Sequence, residues 1–377
     1  MARNRTIYNT EGLMVSQNLL SSGSTTHAQL KRVQSANYGF EIARTDVNQF
    51  GELAAIDRLV TSSPTVNLDF SYYLADGYNE RALGFLVSNS GGIGEGNFAS
   101  GAIVGNSGVN FYIVTGPDGE DLNIANLSGK ATIGIGNAFI SNYSVSAAVG
   151  DFPTVSVSAE ALNINAATYI SGATTPTGTV SPAIAPESGT PINTNNVIRL
   201  PAPTAGSGPT ALRGGDITFS FGDFIGTATG KASSIADLNM STSNSINIQS
   251  FELSLPLSRS PIERLGSKFA FARVTDFPIT ATLSIEAIVN ETVARNLASM
   301  IDDTTENDVS VTIRKPGSTE VAMKYTLKGA RLDSESFSSD IGSNKSVSLT
   351  FSSQIGGPNA TARGVFASGA SVDTIFS

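Results

Sequence analysis

Apolar residues return at every second position in segment after segment of this chain. The pattern runs through VNLDFSY (66–72), TVSVSAEA (154–161), ITFSFGDF (217–224), INIQSFELSL (246–255) and VSLTFSS (347–353), with Ser, Thr or Asn in between. Side chains of an extended strand point to alternate faces. Each segment therefore predicts a strand with one face buried and the other covered by small polar groups. A chain built this way is mainly β.

Two helices are expected among the strands, and they share a stripe. In NETVARNLASMI (290–301), Asn290 can cap, Glu291 suits the positive end of the helix dipole, and Val293, Leu297, Met300 and Ile301 fall on one face. In ADGYNERALGFL (75–86), Tyr78, Ala82, Phe85 and Leu86 show the same spacing, at an offset of 215. At that offset 50–74 aligns with 265–289, matching Gly51 with Gly266, Ala55 with Ala270, Arg58 with Arg273, Thr65 with Thr280 and Leu68 with Leu283. Upstream, Phe40-Glu41-Ile42 resembles Phe251-Glu252-Leu253 at an offset of 211. Downstream, 135–159 aligns with 327–351 at 192. Ser-rich strands can align by composition alone, but composition does not preserve the order of strand, loop, strand, helix, hairpin and strand pair. The order predicts a duplicated unit, with residues 1–170 as one domain and 210–377 as the other. The falling offset marks 88–108 as an insertion in the first. Between the domains, 171–209 holds 7 of the 15 prolines and reads as an extended linker or long loop.

Composition narrows the chemistry. The 377 residues include no cysteine, no tryptophan and one histidine, which removes disulfide scaffolds, thiol nucleophiles, Cys/His zinc sites and most imidazole catalysis. The formal charge of −9 argues against a fold made to grip phosphate backbones. The N-terminal stretch does not read as a signal peptide, and no apolar run approaches the roughly 18 residues of a membrane helix, so a soluble protein made in the cytoplasm is expected. His27 sits in a polar stretch and is expected at the surface, with no G-x-S-x-G elbow to complete a triad. GTATGKAS (226–233) and NLSGKAT (126–132) lack the first glycine and the hydroxyl of a P-loop. Gly92, Gly94 and Gly96 form no dinucleotide fingerprint, and GPDGEDLN (116–123) misses the spacing of a calcium loop. Asp302-Asp303 and Asp333-Glu335 are the remaining carboxylate pairs, whose separation in space the sequence does not give. No enzyme activity, cofactor or metal is expected.

The order of elements resembles the tail tube (major tail) proteins of long-tailed bacteriophages. It rests on a strand (YGFEIA, 38–43; FELSLP, 251–256), a polar loop (RTDVNQFGE, 44–52; LSRSPIERLG, 257–266), a second strand (LAAIDRLV, 53–60; KFAFARVT, 268–275), and then VNLDFSYYL or ITATLSIEAIV leading into the helix. The resemblance covers about 300 residues and carries no diagnostic motif. It implies two tandem β-sandwich or barrel domains, each with one flanking helix. In that family, which shares its architecture with type VI secretion tubes, six domains close a ring around a β-barrel lumen, and a duplicated subunit implies three chains per ring. Implied partners are the chain itself and other tail and neck proteins, with DNA passing through the lumen without specific binding, in a virion tail and with no membrane. By the same resemblance the polar loops, with Arg44, Asp46 and Glu52 in one half and Arg259, Glu263 and Arg264 in the other, are placed at contacts with an adjacent ring. Arg58 and Arg273 lie on otherwise apolar strands and are expected to pair with carboxylates across a subunit boundary. A tail fibre, decoration protein or glycan-binding adhesin, and a polysaccharide hydrolase on a β scaffold, are the competing readings.

Overall fold

A computed structural model of the chain describes residues 11–16, 27–89, 96–104, 108–116, 131–168, 177–178, 198–199, 211–221, 236–237, 247–289, 291–292, 306–342, 344–357 and 359–370. The two Gly-Lys segments, the 117–123 turn, Asp302-Asp303 and most of the 171–209 linker fall outside these residues.

The first half opens with β1 (Glu11–Ser16), β2 (His27–Gln29), β3 (Val33–Glu41), β4 (Arg44–Val47), β5 (Asp57–Val60) and β6 (Thr65–Tyr73). Helix α1 (Tyr78–Ala82), β7 (Val87–Asn89), helix α2 (Ser100–Val104), β8 (Val109–Thr115), β9 (Ala131–Ala148), β10 (Thr154–Ala161) and β11 (Asn163–Thr168) follow. Strands β12 (Thr177–Gly178) and β13 (Ile198–Arg199) pair with each other. The second half contributes β14 (Ile217–Ser220), β15 (Ala236–Asp237), β16 (Ile248–Pro256), β17 (Arg259–Ile262), β18 (Ala272–Thr275), β19 (Thr280–Ile288) and β20 (Glu291–Thr292). It ends with β21 (Asn307–Arg314), β22 (Val321–Ser338), β23 (Ser346–Gln354) and β24 (Gly364–Gly369).

Eight of these strands lie side by side in the order β3-β6-β10-β9-β16-β19-β23-β22, each antiparallel to the next. The two longest strands, β9 and β22, serve both layers of the fold. The first part of β9 leaves the eight-strand layer to pair with β8 and β11, and the first part of β22 pairs with β21 and β24. The layers meet face to face where Phe70 of β6 packs on Phe111 of β8 at 5.6 Å and Phe219 of β14 on Phe251 of β16 at 5.5 Å. The buried core is continuous from Leu68 and Val157 in the first half to Leu283 and Leu349 in the second, because the β9–β16 pairing carries one layer across both.

Pairing irregularities recur along the chain at fixed offsets. Strand β3 slips against β6 between Val33 and Ser35, and β16 slips against β19 between Ile248 and Ser250, at the offset of 215. Strand β10 slips against β9 between Ser158 and Ala159, and β22 slips against β23 opposite Thr350 and Phe351, at the offset of 192. A bulge re-aims every later side chain, so a matched bulge fixes register more tightly than matched composition does. It also corrects one alignment. The registers Ala36↔Phe70 and Phe251↔Ile285 place β3 and β16 at an offset of 215, so Phe251 corresponds to Ala36 and not to Phe40. Gly51 and Gly266 both adopt positive φ (91° and 85°), as do Gly150 and Gly342 (95° and 92°), at hairpin turns where a side chain would strain the backbone.

Other expectations give way. The helix expected over 75–86 is only Tyr78–Ala82, bracketed by Gly77 and Gly84 at positive φ. Of the expected 290–301 helix, Glu291–Thr292 pairs as a strand with β15, and 293–301 lies outside the described residues. The 88–108 insertion packs into the fold where it is described. Strand β7 pairs in parallel with β24, and Phe98 is fully buried, stacked on Phe85 at 4.4 Å. His27 is buried against Tyr112, not exposed, because β2 is covered in its pairing with β1.

One carboxyl sits at the centre of the core. Glu80 of α1 is buried, and its Oε1 accepts hydrogen bonds from Tyr72 (2.8 Å) and Tyr143 (3.3 Å), while the Tyr143 hydroxyl meets that of Tyr325 from the second half at 2.8 Å. Burial pushes the Glu80 carboxyl up to about 7, against the opposing hydrogen bonds. The folded state thus keeps a proton that the unfolded chain has released, and stability falls as pH rises from about 4.5 towards 7. Glu80→Gln keeps an acceptor for the tyrosines. The urea midpoint of the wild type should drop between pH 5 and pH 8 and that of E80Q should drop less; equal drops would assign the titration to another group.

Candidate assembly interface

The eight-strand layer has two dissimilar faces. On the polar face one row of cross-strand neighbours reads Ser35, Ser71, Ser156, Ser144, Ser254, Thr282, Ser352 and Arg331 from one margin to the other. The next row reads Tyr73, Thr154, Ser146, Glu252, Ser284, Thr350 and Ser334. Asp69, Glu252 and Glu286 stand exposed on this face. It is the Ser/Thr half of the alternation seen in the sequence, and it forms a shallow groove over Ser146, Ser250, Ser284 and Ser348.

The other face is apolar, and its burial depends on what lies alongside. At the β9–β16 seam Val145 faces Leu253 and Tyr143 faces Leu255, and all four are buried. At the outer margins the corresponding positions have no strand alongside among the described residues; Lys345 lies over the Phe337 ring at 4.9 Å, and Glu335 stands where the seam has Tyr143. Phe337 of β22, at the offset of 192 from Val145, is 39% exposed where Val145 is 0%. Tyr38 and Phe40 of β3, at the offset of 215 from Leu253 and Leu255, are 38% and 63% exposed where those leucines are 3% and 1%. Strand β3 pairs only with β6 among the described residues, and the last part of β22 pairs only with β23. Both margins thus present unpaired backbone and large apolar side chains together.

The segments expected as polar loops form two hairpin arms, β4–β5 and β17–β18. The second arm lies across the first half of the chain. Arg259 Nη2 donates to the Ala102 carbonyl at 2.5 Å, and its guanidinium covers the Phe139 ring at 4.6 Å. Burial, and then the charge of Arg273, lower the Arg259 pKa. Arg273 pairs through Nη1 with Glu160 of β10 at 2.9 Å, Leu257 N donates to the Ser141 carbonyl, and Ala270 packs with Leu162 and Phe269. Glu263 Oε1 accepts from Ser63 N at 3.2 Å, and Arg264 lies over Phe271.

The first arm is exposed along its whole length. Arg58 pairs with Asp46 of the same hairpin at 2.8 Å, Glu52 accepts from Gln49, and Arg44 has no ion pair among the described residues. The residues chosen from sequence thus divide into two settings. Arg259, Glu263 and Arg273 bridge the halves of one chain, while Arg44, Asp46, Glu52 and Arg58 face outward. The sequence did not reveal Glu160 or Phe139 as their counterparts, since neither lies near the arms along the chain.

No family model matches the chain, and no curated protein matches it. Among solved structures it is similar to a chain of the anti-feeding prophage baseplate (16% identity, 41% of this chain and 91% of that one, TM-score 0.26). It is also similar to a chain of the anti-feeding prophage tube-terminating cap (14%, 45% and 96%, TM-score 0.27). A third is from the sheath-tube complex of an extracellular contractile injection system (11%, 42% and 91%, TM-score 0.27). Likenesses at these scores do not assign a role.

The two arginines should differ in what they contribute to the isolated chain. The Arg273 side chain is 6% exposed but Glu160 is 44% exposed, so Arg273→Ala should cost about 1 kcal/mol, through the lost packing of the arginine stem together with a half-solvated ion pair. Arg58→Ala removes a surface pair and should cost no more than about 0.5 kcal/mol. Urea unfolding of both variants tests this, and equal losses would contradict it.

Proposed function

We propose that this protein is a structural tail component, a tube subunit of which three chains close a ring around a lumen that lets DNA pass. In this reading residues 1–170 and 210–377 are two copies of one unit, joined by 171–209. The β9–β16 seam inside one chain is then a sample of the contact that β22 of one chain makes with β3 of the next. The observation that carries the reading is the paired exposure: positions buried at the seam are uncovered at both margins, on the same face of the same layer. Carrying the seam register to the margins sets Tyr38 opposite Phe337 and Gly39 opposite Ser336. Strand pairing in that register would satisfy both rows of backbone groups and cover Tyr38 and Phe337 together, while Phe40 meets Glu335, which stands in the place of Tyr143.

The polar face then becomes the wall. Small hydroxyls with Asp69, Glu252 and Glu286 offer few cations to duplex DNA, and three chains at −9 bring about −27 to a ring. Such a wall favours sliding over binding. The role is structural, with no catalytic group assigned.

Purified protein should form hollow rings of about 117 kDa, three times 39.0 kDa, visible by electron microscopy. Phe337→Asp places a charge where an apolar contact is required. It should leave the circular dichroism spectrum unchanged while sizing shifts to the single chain. Rings that persist in F337D, or a wild type that stays a globular monomer at high concentration, would count against the tube reading.

A further inference from the structure

The second arm shows what its seat on the first half is made of: Phe139, Ser141, Glu160 and Leu162. At the offset of 192 their counterparts are Arg331, Asp333, Ser352 and Gln354. All four line one open groove, together with Glu306 and Arg363. The groove on the second half is therefore the same place on the fold, without an arm in it. The first arm is in turn the arm without a seat. Its Ile42, Arg44, Ala55 and Arg58 correspond to Leu257, Arg259, Ala270 and Arg273, and all of them are exposed where Leu257 and Ala270 are buried.

We propose that the β4–β5 arm of one chain seats in this groove on a second copy of the chain, with Ile42 N reaching the Asp333 carbonyl and Ala55 lying over Gln354. The proposal rests on the ring reading, since β3 leads directly into this arm and a β3–β22 junction delivers it to the groove. One chain does not fill its own groove this way, because its arm and its groove adjoin opposite margins of the layer.

The seat between chains differs in chemistry from the seat within one. Arg331 replaces the Phe139 ring, and Ser352 replaces Glu160. Glu306 is already occupied by Arg331 (3.0 Å) and Arg363, with Arg363 first and Arg331 after it holding its carboxyl below the usual range. Asp333 has no ion pair among the described residues, and neither does Arg44. The same correspondence sets Arg44 over Arg331, as Arg259 lies over Phe139, so the contact needs the Asp333 carboxylate beside them to offset two like charges. Such a contact is ionic and sensitive to salt, whereas the seat within the chain combines an aromatic ring with an ion pair whose arginine is buried and whose carboxylate is half exposed.

The chain has no cysteine, so introduced pairs are the only thiols present. A variant with Tyr38→Cys and Phe337→Cys reports the strand junction, and one with Ala55→Cys and Gln354→Cys reports the arm. Each is treated with a short bismaleimide and run on a denaturing gel. Cross-linked dimers and trimers from both variants are expected. Products from Y38C/F337C alone would overturn the arm docking and leave the ring standing; products from neither would overturn both. Independently, Arg44→Asp and Asp333→Arg should each raise the concentration for half-assembly about three- to tenfold, and the double variant should restore it. A double variant no better than the singles would overturn the pairing of these two residues.

Discussion

The backbone hydrogen bonds along the β9–β16 seam are the interaction on which the rest of the structure depends. They turn two four-strand layers into one, carry the hydrophobic core across, and bury Val145, Leu253 and Leu255 in a place where each half alone would leave them uncovered. An edge strand presents a full row of unpaired donors and acceptors, and the seam removes two such rows from each chain. Among the described residues the margins at β3 and β22 keep theirs, with Tyr38, Phe40 and Phe337 alongside. Open apolar margins template pairing with other chains, and the ring we propose would answer that liability.

The buried polar cluster makes the joint between the halves specific. Hydrophobic contact tolerates small sliding, but hydrogen bonds linking Tyr72, Glu80, Tyr143 and Tyr325 do not. Tyr325 comes from the second half and the other three from the first, so the cluster ties the layers in one arrangement. Its cost is a carboxyl held in an apolar core, which is why its protonation couples to folding.

Much of the layer was legible in sequence because strand alternation is local: the polar positions of 66–72, 154–161 and 347–352 lie on the polar face, whereas Thr218 and Ser220 of the 217–224 segment belong to the other layer, and the 215 and 192 offsets return as matched bulges. Register was harder. Phe40-Glu41-Ile42 and Phe251-Glu252-Leu253 look alike, yet cross-strand partners set them out of step, pairing Phe251 with the place of Ala36, and no run of similar letters reports a partner. The short helices failed for another reason. Tyr78, Ala82, Phe85 and Leu86 have helical spacing, but Gly77 and Gly84 turn the chain at positive φ and Phe85 is buried beyond the helix end. The contacts of Arg259 and Arg273 with Phe139 and Glu160 are non-local, joining segments far apart along the chain, and only the folded chain brings them together.

Within the proposed ring, having two units in one chain changes the energetics of closure. Three of the six junctions are then intramolecular and form at the high effective concentration of a folded chain, so only three depend on encounter between chains. The two kinds of junction are also free to diverge. The inner one has Phe139, Arg259 and the half-buried Arg273–Glu160 pair, which suit a contact made once during folding. The outer one has Arg331, Asp333 and Ser352 facing an arm with Arg44 and Arg58, all close to water. Exposed charge pairs add little to stability but steer encounter and penalise wrong registers, which is what a contact between separately folded chains requires. A sixfold ring of identical units would have to make one interface serve both purposes, and the divergence between Glu160 and Ser352 is where this chain departs from that compromise.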